Sequence, residues 1–153
     1  MGNDAVFLGP GEGRDFTVGL DNAQAKIEAA ATGDSFSLIE YEASAGAPGP
    51  PLHVHRVVSE LFYMLDGEVE FRADGRTQRL GKGSVAFIPP GIPHTFSNVG
   101  SGVAKWVGIF SPGRYMALVE GIGKALPADG GPPDGEKMAA LFAEWDTEVV
   151  PEG

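Results

Sequence analysis

From residue 15 onward the chain breaks into short runs in which apolar and polar side chains alternate, punctuated by Gly, Pro and Asp. Asp15–Leu20, Ala25–Ala30 and Phe36–Ala43 come first, followed by Leu52–His55, Ser59–Leu65 and Glu68–Ala73. Arg76–Leu80, Ser84–Ile88, His94–Asn98 and Ala104–Phe110 complete the series. Alternation with a period of two puts successive side chains on opposite faces of a strand. Short strands at regular spacing predict an antiparallel sandwich or barrel, an all-β fold class. Asp66-Gly67 and Asp74-Gly75 read as tight hairpins, because both residue types tolerate the positive φ such turns need. Gly33-Asp34 is read as a hairpin turn too. Ala25–Ala30 is ambiguous, since its Ala, Lys and Glu also favour helix. Residues 44–51 (Ser-Ala-Gly-Ala-Pro-Gly-Pro-Pro) predict an extended, polyproline-like connector.

The period changes after residue 110. Ser111-Pro112 reads as an N-cap and first-turn pair, and Tyr115, Leu118, Val119 and Ile122 follow at helical spacing. Asp134 is placed to cap a second helix over 135–145, whose Met138, Leu141, Phe142 and Trp145 form one apolar stripe. That stripe is expected to pack on the outside of the barrel. The organisation predicted is a flexible Gly-rich arm over 1–14, a β-barrel over 15–110 and a helical extension over 111–153.

Composition narrows the function. The 153 residues fit one domain at about 150 residues each. Hydrophobic residues make up 42%, enough for a core, and cysteine is absent, which excludes a disulfide framework, a thiolate metal site and a cysteine nucleophile. The formal net charge of −10 repels phosphate backbones and anionic lipid, so neither nucleic acid nor membrane is an expected partner. No apolar run approaches the ~20 residues of a membrane helix. With no basic, apolar leader at Met1-Gly2-Asn3-Asp4, a cytoplasmic protein is expected.

The chain contains three histidines, His53, His55 and His94. His53 and His55 stand two apart, so a strand presents both imidazoles on one face. Glu60 opens the apolar run Leu61–Leu65, where a carboxylate is costly unless a cation neutralises it. Three imidazoles and one carboxylate suit a divalent transition metal: nickel, iron, manganese, cobalt, copper or zinc.

These residues carry a resemblance. His53-x-His55-x4-Glu60-x6-Gly67 resembles the first motif of the cupin family, and Gly83-x5-Pro89-x-Gly91-x2-His94-x3-Asn98 resembles the second. The first motif departs from the family at Ala47, where a Gly is usual, with Gly46 and Gly49 close by. The resemblance implies a jelly-roll barrel of two antiparallel sheets with His53, His55, Glu60 and His94 as ligands of one metal ion per chain. The phrase Phe36–Glu40 and the tail after Ser111-Pro112-Gly113 are similar to cupins of the quercetin dioxygenase type.

If Glu60 points inward, alternation places Phe62 and Met64 on the same face, and Phe96 follows His94, giving an apolar substrate pocket of Phe62, Met64 and Phe96. A dication and one carboxylate leave a single net positive charge, which favours an enolate or phenolate ligand. A dioxygenase acting on a flavonol-like small molecule with molecular oxygen is the expected activity, with Glu60 as its proton acceptor. A redox-neutral isomerase or cyclase in natural-product tailoring, or a non-catalytic small-molecule-binding cupin, are the alternatives. Unpaired sheet edges make a homodimer the expected assembly, with residues 1–20 contributing.

Overall fold

The computed structural model describes residues 4–152, so the first three residues of the expected arm lie outside it. Strands β1 (Arg14–Val18), β2 (Asp21–Ile27) and β3 (Ser37–Ala43) are followed by β4 (His53–His55), β5 (Ser59–Asp66) and β6 (Glu68–Ala73). Strands β7 (Arg76–Gly81), β8 (Val85–Ile88), β9 (His94–Ser97) and β10 (Ala104–Ser111) complete the barrel. A short helix α1 (Ala29–Thr32) lies between β2 and β3. After β10 come a 3₁₀ turn (Gly113–Tyr115), helices α2 (Met116–Ala125) and α3 (Gly135–Glu144), and a last strand β11 (Thr147–Val149). The strands form two antiparallel sheets, one in the order β1-β2-β3-β10-β5-β8 and the other β11-β4-β9-β6-β7.

Register explains which side chains meet inside. Strand β10 faces inward with Ala104, Trp106, Gly108 and Phe110, all buried. One row across the larger sheet pairs Ser37 with Phe110, Phe110 with Glu60, and Glu60 with Ile88. Four residues along β10, Trp106 lies in the Met64 row and stacks on its ladder partner Tyr41 at 4.7 Å between ring centroids. Phe62 meets Phe71 at 5.0 Å and Phe96 at 5.5 Å, closing an aromatic core between the sheets. Met64 and Val69 beside them are wholly buried.

Several local expectations are corrected. Gly33-Asp34 is not a hairpin turn. Ala29–Thr32 winds into a helical turn, a natural outcome for an Ala-rich stretch, and Gly33 ends it in the left-handed region at φ 61°. Ser111 does not cap a helix: it closes β10, and its hydroxyl donates to the Ser35 carbonyl at 2.7 Å. Asp134 does cap α3, accepting from the Glu136 and Lys137 amides at 3.1 and 3.2 Å. The α3 stripe buries only Phe142 fully. It divides between two neighbours: Leu141 packs over Gly121 of α2, while Trp145 packs against the barrel core beside Tyr115, with ring centroids 5.2 Å apart. Strand β11 was not expected at all. Among the described residues, no helix is long and apolar enough to cross a membrane.

The connector over 44–51 has no glycine at 47, but Gly46 and Gly49 take φ 74° and 70° and supply its turns. Asn98 pins this connector, its side-chain amide donating to the Ser44 carbonyl at 3.1 Å and its backbone amide to the Ala47 carbonyl at 2.9 Å. A Cβ on Gly49 would lie 1.7 Å from the Phe96 carbonyl oxygen. Gly49→Ala is therefore expected to destabilise by more than about 1 kcal/mol, from positive-φ strain and displacement of the connector. Chemical denaturation measures this, and an unchanged midpoint would show that the connector shifts freely.

Candidate metal centre

The site is assembled by two sheets. Strand β4 carries His53 and His55, and β9 sets His94 directly opposite His53 in the ladder. Glu60 enters from β5 on the facing sheet. The ligand atoms of these four side chains all lie within 4.8 Å of one another, so the cluster can hold a metal ion. All three histidines are buried, and the Glu60 side chain is 12% exposed.

Each imidazole is fixed from behind through Nδ1. His53 Nδ1 lies 2.7 Å from the Pro51 carbonyl oxygen, and His94 Nδ1 lies 2.8 Å from that of Ile92. A carbonyl can only accept, so both Nδ1 atoms carry the proton. On His53 this leaves the Nε2 lone pair turned inward, whereas His94 Nε2 faces the Glu60 carboxylate and donates a proton to it in the absence of metal. His55 Nδ1 contacts the Thr147 hydroxyl at 2.7 Å. Inside the cluster, His53 Nε2 and His55 Nε2 stand 3.1 Å apart. Glu60 Oε2 lies 2.8 Å from His94 Nε2 and 3.7 Å from His55 Nε2. Nitrogen lone pairs and a carboxylate crowded into one small volume repel unless a cation sits among them, so the residues fit the metal that the motifs imply.

The electrostatics follow from burial and this crowding. Burial, with help from the other two imidazoles, holds the His53 pKa down at about 4. Burial also lowers His55, partly opposed by Glu60. Burial pushes His94 down as well, but the hydrogen bond and charge attraction of Glu60, with the Ile92 carbonyl, together outweigh it and leave His94 raised. Burial pushes Glu60 up, yet the His94 hydrogen bond and the surrounding imidazoles bring it below the ordinary carboxylate value.

Phe62, Met64 and Phe96 do share the inner face of the barrel, but they are packed into the aromatic core. Ile88 and Phe110 flank Glu60 in register, and the Tyr115 ring lies 6.5 Å from that of His55. Ser37 shares this row, and its hydroxyl is the one buried side-chain polar atom without a partner among the described residues. Sequence reasoning missed Thr147 and Tyr115. The β-branched run Thr147, Val149 and Val150 was the available signal for a strand. Two surface cavities of about 530 and 520 Å³ lie elsewhere, one beside the N-terminal arm and one between the connector and the C-terminal tail.

His94→Ala is expected to abolish binding of about one transition-metal ion per chain, since no other histidine can replace it. Metal analysis of the dialysed variant checks this, and full occupancy would remove His94 from the ligand set. In metal-free protein His53 is expected to stay neutral down to about pH 4, against its ordinary 6.5. A lowered pKa gives a stabilising contribution that is present above 6.5 and lost as pH falls toward 4. Proton-detected NMR titration of the ring reads it directly, and titration near 6.5 would contradict the burial argument.

Known proteins agree with this architecture. Residues 39–110 match the family model of the cupin domain. Quercetin 2,3-dioxygenase of Bacillus subtilis (strain 168) is 35% identical over 90 residues, which are 59% of this chain and 26% of that protein. The chain thus spans about a quarter of that relative's length. An RmlC-like cupin from Shewanella frigidimarina superposes with a TM-score of 0.63 at 22% identity, covering 74% of this chain and 96% of its own. The polyketide cyclase RemF from Streptomyces resistomycificus superposes with a TM-score of 0.61 at 23% identity, covering 71% and 80%. With both histidine motifs, two facing antiparallel sheets and a four-residue ligand cluster between them, the chain belongs to the cupin superfamily.

Proposed function

We propose that this cupin is a metal-dependent dioxygenase acting on an enolizable, flavonol-like aromatic. The observation that carries the reading is the convergence of three imidazole nitrogens and one carboxylate within 4.8 Å, with the Nδ1 protons of His53 and His94 turned outward to backbone carbonyls. The likeness to a quercetin 2,3-dioxygenase over 90 residues supports the substrate class. A divalent transition ion held there supplies Lewis acidity, lowering the pKa of a coordinated hydroxyl.

The chain's own residues do the rest. Glu60 is held below the ordinary carboxylate value and is therefore ionised at neutral pH, able to accept the substrate's hydroxyl proton at Oε2. Ile88 and Phe110 flank it and keep water from the carboxylate. Phe62, Met64 and Phe96 lie on the same inner face and back the apolar lining of the site from the core. The net positive charge of a dication with one carboxylate favours the deprotonated substrate.

The homodimer belongs to the same reading. Tyr63, Val85 and Phe87 on the outer face of the larger sheet are 46%, 54% and 58% exposed. Light scattering at micromolar concentration is expected to give twice the chain mass, and a monomer would contradict this.

Oxygen uptake by metal-loaded protein with quercetin tests the activity. Glu60→Gln is expected to retain metal while kcat falls about 100-fold or more, the usual contribution of a general base. Product forming equally well without oxygen would replace the dioxygenase with a redox-neutral isomerase or cyclase. Full activity in Glu60→Gln would keep the oxygenase and remove Glu60 as its base.

A further inference from the structure

His53 and His94 each hand the Nδ1 proton to the carbonyl two residues earlier in the chain. His55 cannot do the same, because the residue two before it is His53, which is already paired on both sides within the sheet. Its Nδ1 meets instead a side chain 92 positions away, the hydroxyl of Thr147 at 2.7 Å. That hydroxyl spends its own proton on the Trp145 carbonyl at 3.0 Å. What remains on Thr147 Oγ1 toward His55 is a lone pair. Thr147 is 5% exposed, so water does not easily take its place.

The strand that carries Thr147 is also the main support of β4. Three residues of β11 pair with all three of β4, Thr147 with His55, Glu148 with Val54 and Val149 with His53. On its other side β4 pairs with β9 at a single position. The contact extends at both ends. The Val150 amide donates to the Leu52 carbonyl at 2.8 Å, and the Arg56 amide donates to Asp146 Oδ2 at 3.2 Å. The Arg56 guanidinium donates to Glu148 at 2.9 Å.

We propose that Thr147 is a positioning residue of the metal centre: it holds the His55 proton on Nδ1 and so turns the His55 Nε2 lone pair into the site. The C-terminal strand is then part of the centre and not an appendage of the barrel. This rests on the reading of His53, His55, Glu60 and His94 as metal ligands. Groups that accept the outer N–H of a ligating histidine fix its tautomer and orientation, and their loss typically weakens metal binding about 10–100-fold.

The test uses full-length protein and cobalt(II), whose visible absorption reports its ligands. Thr147→Val keeps the shape and the β-branch but removes the lone pair, whereas Thr147→Ser restores it. Cobalt affinity, measured by competition with a chromophoric chelator, is expected to fall about 10–100-fold in Thr147→Val. It is expected to stay near wild type in Thr147→Ser. Nitrogen-15 NMR of metal-free wild type in mildly alkaline buffer is expected to show His55 as the Nδ1–H tautomer. Wild-type affinity in a folded Thr147→Val, or His55 as the Nε2–H tautomer in wild type, would overturn the proposal. Should Thr147→Val fail to fold, the wild-type tautomer still decides. Should wild type take up no cobalt, the four-ligand reading fails, while the tautomer still decides whether Thr147 orients His55.

Discussion

One constraint organises the molecule: acceptor atoms from four side chains are held close together in a volume that water scarcely enters. Such an arrangement repels itself, and the fold must supply what holds it. It does so by fixing each imidazole from behind, with the Pro51 and Ile92 carbonyls behind His53 and His94. Both carbonyls lie in proline-rich turns, Pro50-Pro51 before β4 and Pro89 to Pro93 before β9, where the backbone has little freedom. The stiffness of these segments therefore passes directly to the rings they hold.

The barrel supplies the other half. Glu60 reaches the histidines from the opposite sheet, so its position depends on the spacing between sheets. That spacing is set by the interlocked rings of Phe62, Phe71, Phe96 and Trp106, at centroid separations of 5.0 to 6.3 Å. Close-packed interiors yield little to local strain. Glu60 and Phe62 are two positions apart on one strand, so the core and the site share one rigid element. Aromatic residues that the sequence assigns to a pocket thus have a prior role as the spacer that holds the carboxylate at ligand distance.

What was legible in the sequence was what strand geometry makes local. His53 and His55 share a face because the side-chain period is two, and the inward run Glu60, Phe62, Met64 follows from the same rule. The hairpins at Gly67 and Gly75 announce themselves by residues that tolerate positive φ, and both take φ 71°. The β11 pairing was not legible. Three residues carry little periodicity, and their partner lies some 92 positions earlier in the chain. The position of the α3 stripe was legible only in part. An apolar stripe says that a face is buried but not against what, and here it divides, Leu141 meeting Gly121 of α2 and Trp145 meeting the core beside Tyr115. Gly33 misled because a left-handed glycine ends a helical turn as readily as it makes a hairpin.

X-ray absorption of the metal-loaded protein tests the centre most directly, because it counts the ligands of the bound ion without a substrate. Three imidazoles and at least one oxygen donor are expected in the first shell, with imidazole nitrogens at about 2.0–2.1 Å if the ion is zinc. A shell of oxygen donors alone, without the outer-ring scattering of imidazole, would contradict the assignment of His53, His55 and His94 as the ligands around which this barrel is built.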